Sequence, residues 1–202
     1  MPPEITALRE ILSKLKFNHK NNQVLLEEKG EQATLKKVFL SNVSNDYLTL
    51  KPDAAQIKIF AKGCGNRQCD YIVLSEYNKQ KFALFIDLKS SLSHYPAPQQ
   101  KNDLANDEYG DIVIQFLGSS CLLDFIQSAL RNFRNLDIAE YKRRYVILYN
   151  KDIPRISQPI APTRIAPNDS PKNLLIKKIE NEGKLDFESL IIPSPKNEPT
   201  RF

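Results

Sequence analysis

Two acidic residues and a lysine flank a pair of apolar runs in the stretch CDYIVLSEYNKQKFALFIDLKSS, which spans residues 69–91. Asp70 stands just before the run YIVL, Asp87 follows the run FALFI, and Lys89 comes one residue beyond Asp87. Charged groups beside an apolar core are costly unless they are paired or bind a metal ion. The spacing therefore predicts an ion pair or a metal site at the ends of two buried strands.

A hairpin formed by the two apolar runs would bring these three side chains together. The strands are expected over residues 70–74 and 82–88, with the polar segment SEYNKQK as their connection. In an antiparallel pair, the start of one strand lies beside the end of its neighbour. Asp87 and Lys89 also share one face of the sheet, because side chains alternate between the two faces.

Two carboxylates and an ammonium in this arrangement suit a hard divalent cation. Mg²⁺ and Mn²⁺ prefer oxygen ligands and usually keep several waters, so Asp70 and Asp87 are the expected metal ligands. Such an ion lowers the pKa of a bound water and stabilises charge on a phosphate. Lys89 would orient or activate that water and neutralise the charge. The alternative is an ion pair at the strand ends, which contributes little stability.

Further elements are predicted around the hairpin. Apolar spacing predicts a helix over residues 4–17 and a long helix over residues 111–134, whose small residues Gly118, Ser119 and Ser120 would let it pack closely on a sheet. Residues 23–43 favour either two short strands or a strand followed by a helix. Strands are expected at 56–61 and 145–149, and a hairpin over 174–192 that turns at residues 181–183.

The pattern CDYIV…FALFIDLKSS followed by QFLGSSCLLDFIQSAL resembles the PD-(D/E)xK nuclease superfamily, and within it a set of small uncharacterised prokaryotic-type members. The matching residues are Asp70, Asp87, Leu88 and Lys89. The resemblance covers roughly residues 5–150. It implies an α/β (α+β) restriction-endonuclease-like fold, in which helices flank a mixed central sheet. The small members carry Glu where this chain has Asp87, and the superfamily pattern allows either acid.

The resemblance also implies accessory residues. Members of the superfamily often contribute an acid from the first helix, and Glu10 fits that position best; a solvated helix face is the alternative. Gln115 opens the long helix and is a second accessory candidate, although a helix start needs no function.

Basic residues are candidates for contacts with a nucleic-acid backbone, which would be salt-sensitive. They are Lys62, Arg67, Arg131, Arg134, Lys142, Arg143 and Arg144. A solvated helix end is the alternative for the cluster that begins at Arg131.

The amino-acid composition indicates the general class of protein. The chain has 202 residues, of which 41% are hydrophobic and 26% charged, as in an ordinary globular protein. We expect a core domain over residues 1–153 and a proline-rich linker with a C-terminal hairpin and tail over 154–202. The net charge of +5 is compatible with a polyanionic partner without requiring one.

Cysteine usage and hydropathy indicate a cytoplasmic protein. Three cysteines are an odd set for a secreted disulfide framework, and neither they nor the two histidines have a recognisable zinc-ligand spacing. The sequence has no signal peptide pattern, and we expect no membrane-spanning run.

The expected function is a Mg²⁺- or Mn²⁺-dependent nuclease that hydrolyses phosphodiester bonds, of DNA rather than RNA, in a defence, restriction or mobile-element setting. The alternative is a nuclease-fold subunit with a weak or lost site that binds nucleic acid or another protein. A homodimer or a larger assembly suits either function, and the C-terminal hairpin could add to a partner's sheet edge.

Overall fold

A computed structural model describes ten stretches of the chain: 6–7, 22–28, 30, 33–44, 46–52, 67–91, 108–136, 140–151, 168–171 and 174–192. Glu10, Lys62, the predicted strand at 56–61 and most of the proline-rich segment lie outside them. Of the predicted first helix, Thr6 and Ala7 are described; both are helical, and Ala7 packs against the core.

The described residues form a mixed α+β structure with two sheets. The five-stranded sheet has the order β3-β4-β5-β6-β7, with strands Leu48–Leu50, Tyr71–Tyr77, Gln80–Ser91, Lys142–Lys151 and Leu175–Lys178. The three-stranded sheet has the order β1-β2-β8, with strands Val24–Glu27, Lys37–Ser41 and Gly183–Asp186. The helices are α1, Glu108–Arg134, and α2, Glu188–Ile191.

The five-stranded sheet is mixed. Strands β3, β4 and β5 pair in antiparallel fashion, whereas β5, β6 and β7 are parallel. Because β5 and β6 are parallel, the chain must return between them, and α1 makes that return. The two strands predicted among residues 23–43 are β1 and β2, an antiparallel pair.

Helix α1 covers one face of the five-stranded sheet. Alternate residues of β4, β5 and β6, such as Ile72, Phe85 and Ile147, share a buried cluster with Phe116 and Leu123 of α1. The other face packs against β1, β2, β8 and α2 in a second buried cluster. Both faces of the sheet are therefore covered, which explains why its central strands are apolar along most of their length.

The predicted small-residue contact between α1 and the sheet is confirmed. Ser119 and Ser120 are buried. The Oγ of Ser119 accepts a hydrogen bond from the Cys69 backbone N–H at 2.8 Å, and the Ser120 and Tyr145 hydroxyls are 3.0 Å apart. The Tyr145 ring also stacks on Phe85 at 5.0 Å between centroids. These contacts fix α1 against the strands that carry the acidic residues.

The predicted hairpin exists, but its strands are longer than expected. Strand β4 continues through Tyr77 and β5 begins at Gln80, so most of the segment predicted as the connection is strand. Asn78 and Lys79 make the turn, with φ values of 48° and 61°. Two successive positive φ values are typical of the turns that match strand twist in tight hairpins.

The C-terminal hairpin prediction is wrong. Residues 181–182 do turn, but β7 pairs in parallel with β6, whereas β8 pairs in parallel with β2 of the other sheet. The segment therefore connects the two sheets. Phe187, Leu190 and Ile191 after β8 are buried in the second cluster.

Helix α1 also differs from expectation in composition. By length and composition alone, its stretch Ile112–Arg134 is apolar enough to cross a membrane, although we expected no such run. Half of its most apolar window is buried inside the protein. A core helix of this length has the same composition.

Candidate functional site

The β4–β5 hairpin brings Asp70, Asp87 and Lys89 to one end of the five-stranded sheet. Tyr71 pairs with Ile86, so the next position along each strand sets Asp70 beside Asp87. The Leu88 backbone N–H donates a hydrogen bond of 2.6 Å to Asp70 Oδ2, which fixes that carboxyl against β5. By strand alternation, all three side chains lie on the sheet face that α1 covers.

Asp87 is the most buried of the three, with 1% of its surface exposed. The Lys89 Nζ lies 2.7 Å from Asp87 Oδ2 and forms an ion pair with it. The ammonium therefore neutralises a carboxylate oxygen that is closed to water.

Burial and mutual repulsion make this carboxyl pair hard to ionise. Burial, reinforced by the charge of Asp87, raises the pKa of Asp70 well above its usual value, although the Leu88 N–H and Lys89 oppose the change. Burial also raises the pKa of Asp87, against the opposing effects of Lys89 and of a hydrogen bond with Asp70. The two carboxyl groups therefore tend to share a proton at pH values where exposed carboxyls are ionised.

Lys89 remains an ammonium in this setting. Burial alone would lower its pKa, but the charges of Asp87, Asp70 and Glu28 outweigh burial and raise it. About a quarter of its side chain, 27%, is still exposed. The ammonium therefore stays protonated and accessible at neutral pH.

Glu28 is the acidic residue that the sequence analysis missed. It follows β1, and its charge adds a small contribution to the raised pKa values of Asp70, Asp87 and Lys89. The segment LLEEKGEQ contains acids without any recognisable spacing, and β1 reaches the hairpin through contacts across 44 positions of the chain. A sequence pattern carries no signal for such a contact.

Gln115 lies in the part of α1 that approaches the same end of the sheet. It is one turn before Ser119, whose hydroxyl binds the backbone of Cys69 beside Asp70. The Gln115 Oε1 is buried and has no hydrogen-bond partner among the described residues. Its accessory role stays a prediction, as does that of Arg67, which is exposed three positions before Asp70.

The basic cluster lies toward the opposite end of the sheet. Lys142 pairs with Phe82 and Ile147 pairs with Asp87, so Lys142 is about 16 Å along the strands from Asp87, at roughly 3.3 Å per residue. An open groove of about 700 Å³ at this end is lined by Arg131, Lys142 and its two neighbours, together with three acidic residues.

The three basic residues at 142–144 belong to β6, so the alternative of a solvated helix end is wrong for them. Lys142 Nζ donates to Gln80 Oε1 at 2.8 Å, and Arg143 pairs with Asp124 of α1. Arg144 donates from Nε to the Ile191 carbonyl at 2.8 Å. These contacts hold the fold together; whether the same side chains, with Arg131 and Arg134, also contact nucleic acid stays a prediction.

The acidic side chains present decide whether a metal ion fits this site. Among the described residues, no group of three or more His, Cys, Asp or Glu side chains is arranged to hold a metal ion. Asp70 and Asp87 supply two carboxylates, and the Oδ2 of Asp87 is paired with Lys89. Two carboxylates suit Mg²⁺ or Mn²⁺, because these ions usually complete their coordination with waters and substrate oxygens.

Comparisons of the chain with protein-family models, with curated proteins and with solved structures gave no match.

Proposed function

We propose that the protein is a metal-dependent nuclease of the PD-(D/E)xK type that hydrolyses phosphodiester bonds in DNA, with Asp70, Asp87 and Lys89 as its catalytic residues. The observation that carries the proposal is the convergence of these three side chains at one end of the β4–β5 hairpin, with Lys89 Nζ 2.7 Å from Asp87 Oδ2. Three charged groups at the end of an otherwise apolar pair of strands need a functional reason.

The arrangement of elements supports the same proposal. An antiparallel run of three strands, a helix and a parallel fourth strand correspond to the restriction-endonuclease-like order that the sequence resemblance implies. The fold likeness rests on this order and on the three site residues alone.

Asp70 and Asp87 would hold Mg²⁺ or Mn²⁺, which would supply charge neutralisation at the scissile phosphate and acidify a bound water. Without a cation, burial and repulsion keep a proton on the carboxyl pair. A divalent cation would take the place of that proton. The pair is therefore better suited to bind a cation than to accept protons as a general base.

Lys89 acts through its charge in this proposal. Its raised pKa keeps it protonated, so it is poorly suited to take a proton from water at neutral pH. An ammonium beside the metal-binding carboxylates would instead bind a phosphate oxygen and neutralise the negative charge that grows in the transition state. Of the two roles expected of Lys89 from the sequence, we therefore propose charge neutralisation alone.

The test is nuclease activity of the full chain with Mg²⁺ or Mn²⁺ on supercoiled plasmid, linear duplex DNA and RNA. Asp87→Asn and Lys89→Met are expected to lower the cleavage rate at least a hundredfold, because each removes a charge from the reacting centre. Glu76→Gln and Lys81→Met, at the turn end of the same hairpin, are matched controls and should cleave as the wild type does. Cleavage that survives both site substitutions would overturn the assignment.

One observation favours the second candidate, a nuclease-fold subunit with a weak or lost site. Asp87 is 1% exposed and paired with Lys89, so a cation can reach it only if Lys89 moves. Such a protein would bind nucleic acid equally well with and without divalent cations and would cleave none of the three substrates. The same assay, combined with a binding measurement, separates the two functions.

A further inference from the structure

We propose that Lys151 and Lys178 bind DNA backbone phosphates beside the scissile one. With Lys89 they form a phosphate track along the carboxyl ends of β5, β6 and β7. The inference rests on the proposed function in one respect, that the ligand is DNA, and it requires neither a metal ion nor cleavage. No sequence pattern singles out Lys151 or Lys178, because each stands near the end of a separate strand.

The register of the sheet places Lys178 in one row with Lys89. Lys89 pairs with Tyr149 of β6, and Tyr149 pairs with Lys178 of β7, so these residues lie side by side across three parallel strands. Neighbouring strands are about 4.8 Å apart, which puts the backbone at Lys178 about 10 Å from the backbone at Lys89. Lys151 lies two residues further along β6, where it pairs with Ser91.

The lysines of the phosphate track are on the sheet face that α1 covers, as Asp87 is. Tyr149 packs against the buried cluster beneath α1, whereas Leu175 packs against the cluster on the other face. Because side chains alternate along a strand, Lys151 shares the face of Tyr149, and Lys178 has the face opposite to that of Leu175.

The neighbouring Lys177 is directed to the other face. Its Nζ donates a hydrogen bond to Ser189 Oγ at 3.3 Å, and Ser189 belongs to α2 in the layer on that face. Two adjacent lysines of β7 therefore face opposite sides of the sheet, which makes Lys177 a matched control for Lys178.

The lysines of the phosphate track are accessible to a ligand. Lys151 and Lys178 are exposed, and 27% of the Lys89 side chain is exposed. Ammonium groups along one edge create a positive potential that attracts a polyanion. Each DNA strand carries one phosphate per about 3.4 Å of helix axis, so about 10 Å spans roughly three nucleotides. A strand with its scissile phosphate at Lys89 would therefore bring another phosphate to Lys178.

The strand ends that carry the track are fastened by hydrogen bonds. In the loop between β1 and β2, Thr34 donates from its N–H to Ser90 Oγ and from its hydroxyl to Asn150 Oδ1, both at 2.8 Å. The Ile179 N–H donates to the Tyr149 carbonyl at 2.7 Å, which ties the end of β7 to β6. The backbone of the track is thus held before a ligand binds, which lowers the entropic cost of binding.

A lysine on the outermost strand of a sheet can also serve to keep other chains from pairing with that strand. Strand β7 is outermost in its sheet, so this role could apply to Lys178. It does not apply to Lys151, because β6 lies between β5 and β7. A purely protective role would give neither lysine a part in DNA binding.

The test measures binding of the full chain to a fluorescently labelled DNA duplex by anisotropy, in EDTA and over a series of salt concentrations. Lys151→Met and Lys178→Met should each weaken binding severalfold. Each should also reduce the slope of log affinity against log salt by about 0.9, because each removes one phosphate contact. The controls Lys177→Met, on the other face of β7, and Lys81→Met, at the turn end of the hairpin, should match the wild type.

Cleavage kinetics with Mg²⁺ give a second measurement. Lys178→Met should raise KM and leave kcat near the wild-type value, because a contact with a distant phosphate is the same in the ground state and the transition state. Lys89→Met should instead lower kcat. A fall in kcat without a change in KM for Lys178→Met would contradict the inference.

The outcomes separate this inference from the proposed function. If the wild type cleaves DNA while Lys151→Met and Lys178→Met keep its affinity and salt slope, the track is refuted and the nuclease stands. If both variants bind weakly and the wild type binds but never cleaves, the track stands and the nuclease is refuted. Absence of wild-type binding in EDTA, or equal weakening by the two controls, refutes the track whatever the cleavage assay shows.

Discussion

The carboxyl groups of Asp70 and Asp87 impose an energetic cost on the folded protein. Asp87 is buried and Asp70 is partly buried beside it, so at neutral pH the pair must either share a proton or be neutralised by a cation. Lys89 offsets one negative charge, and Glu28 adds another. A substitution that removed one of these carboxyl groups would increase stability. Ionisable groups that destabilise the fold in this way are commonly found at functional sites.

Replacing Asp70 by Asn should stabilise the metal-free protein at neutral pH. Asn keeps an oxygen for the Leu88 N–H and can donate a hydrogen bond to Asp87, but it removes the charge. We expect the free energy of unfolding at pH 7 to rise by about 1 kcal/mol or more, since one pKa unit corresponds to about 1.4 kcal/mol. Chemical denaturation of both proteins measures this difference.

The pH dependence of that difference follows from the direction of the pKa change. Because the pKa of Asp70 is raised in the folded state, the folded protein holds this proton more tightly than the unfolded chain does. The resulting stability is fully present below the unfolded value of about 3.9 and is lost as the pH rises through the folded pKa. The advantage of Asp70→Asn should thus disappear near pH 4, whereas Glu76→Gln should show no such trend. An advantage that is constant with pH would contradict this explanation.

Local spacing determined which site residues could be predicted. Asp87 and Lys89 share a face of the sheet because side chains alternate between the two faces of a strand. Asp70 lies beside them because the start of one hairpin strand is next to the end of the other. Glu28 and Ser119 could not be predicted, since their positions depend on contacts between elements that are distant in sequence. The hydroxyl of Ser119 reaches the Cys69 backbone across 50 positions.

At the scale of elements, the β4–β5 hairpin is the part of the molecule that sets the site's register. Its turn residues Asn78 and Lys79 both have positive φ values, 48° and 61°. Asn tolerates that conformation, whereas for Lys it is strained. The backbone at Lys79 is therefore slightly strained, at the end of the hairpin far from Asp70 and Asp87, and a substitution there could relieve the strain.

Lys79→Gly should stabilise the protein by roughly 0.5 kcal/mol, because the relief of strain at a positive φ outweighs the opposing entropy that Gly gains in the unfolded chain. The midpoint of thermal unfolding measures the change. Lys81→Gly, within β5, is the matched control and should destabilise by about 0.5 to 1 kcal/mol. Destabilisation by Lys79→Gly would show that the Lys79 side chain makes a contact that outweighs the backbone strain.

Two errors in predicting elements have physical causes. The segment SEYNKQK is polar and suggested a loop, yet its ends are strand because a hairpin that extends into solvent needs no apolar residues there. The runs LIKK and GKLD around a turn suggested a hairpin, yet each pairs in parallel with a strand of a different sheet. Turn chemistry is local, whereas the choice of a partner strand depends on the whole fold.

At the scale of the whole molecule, the five-stranded sheet lies between helix α1 and the three-stranded sheet. The C-terminal segment contributes to this layering at several points. Strand β8 completes the three-stranded sheet, and α2 buries Leu190 and Ile191. Asn168 Nδ2 also donates to the carbonyls of Tyr145 and Leu190 at 3.2 and 3.0 Å.

A chain that ends at residue 153 should therefore fail to fold cooperatively. It would lack β7, β8 and α2, and the apolar face of the sheet that they cover would meet water. Circular dichroism during heating should show a broad transition or none, where the full chain unfolds sharply. A sharp transition near the wild-type midpoint would instead support an independent domain over residues 1–153.

The pairing of β8 with β2 also has a consequence for synthesis on the ribosome. The Lys36 N–H donates to the Asn181 side chain next to this pairing, across 145 positions of the chain. During translation, β1 and β2 emerge before β8, so they must wait until residues 183–186 are made before this neighbour arrives. Until then, one side of β2 presents unpaired backbone groups to other nascent chains. Termination before residue 183 would leave that side permanently open, so truncated products of this protein should be prone to aggregation.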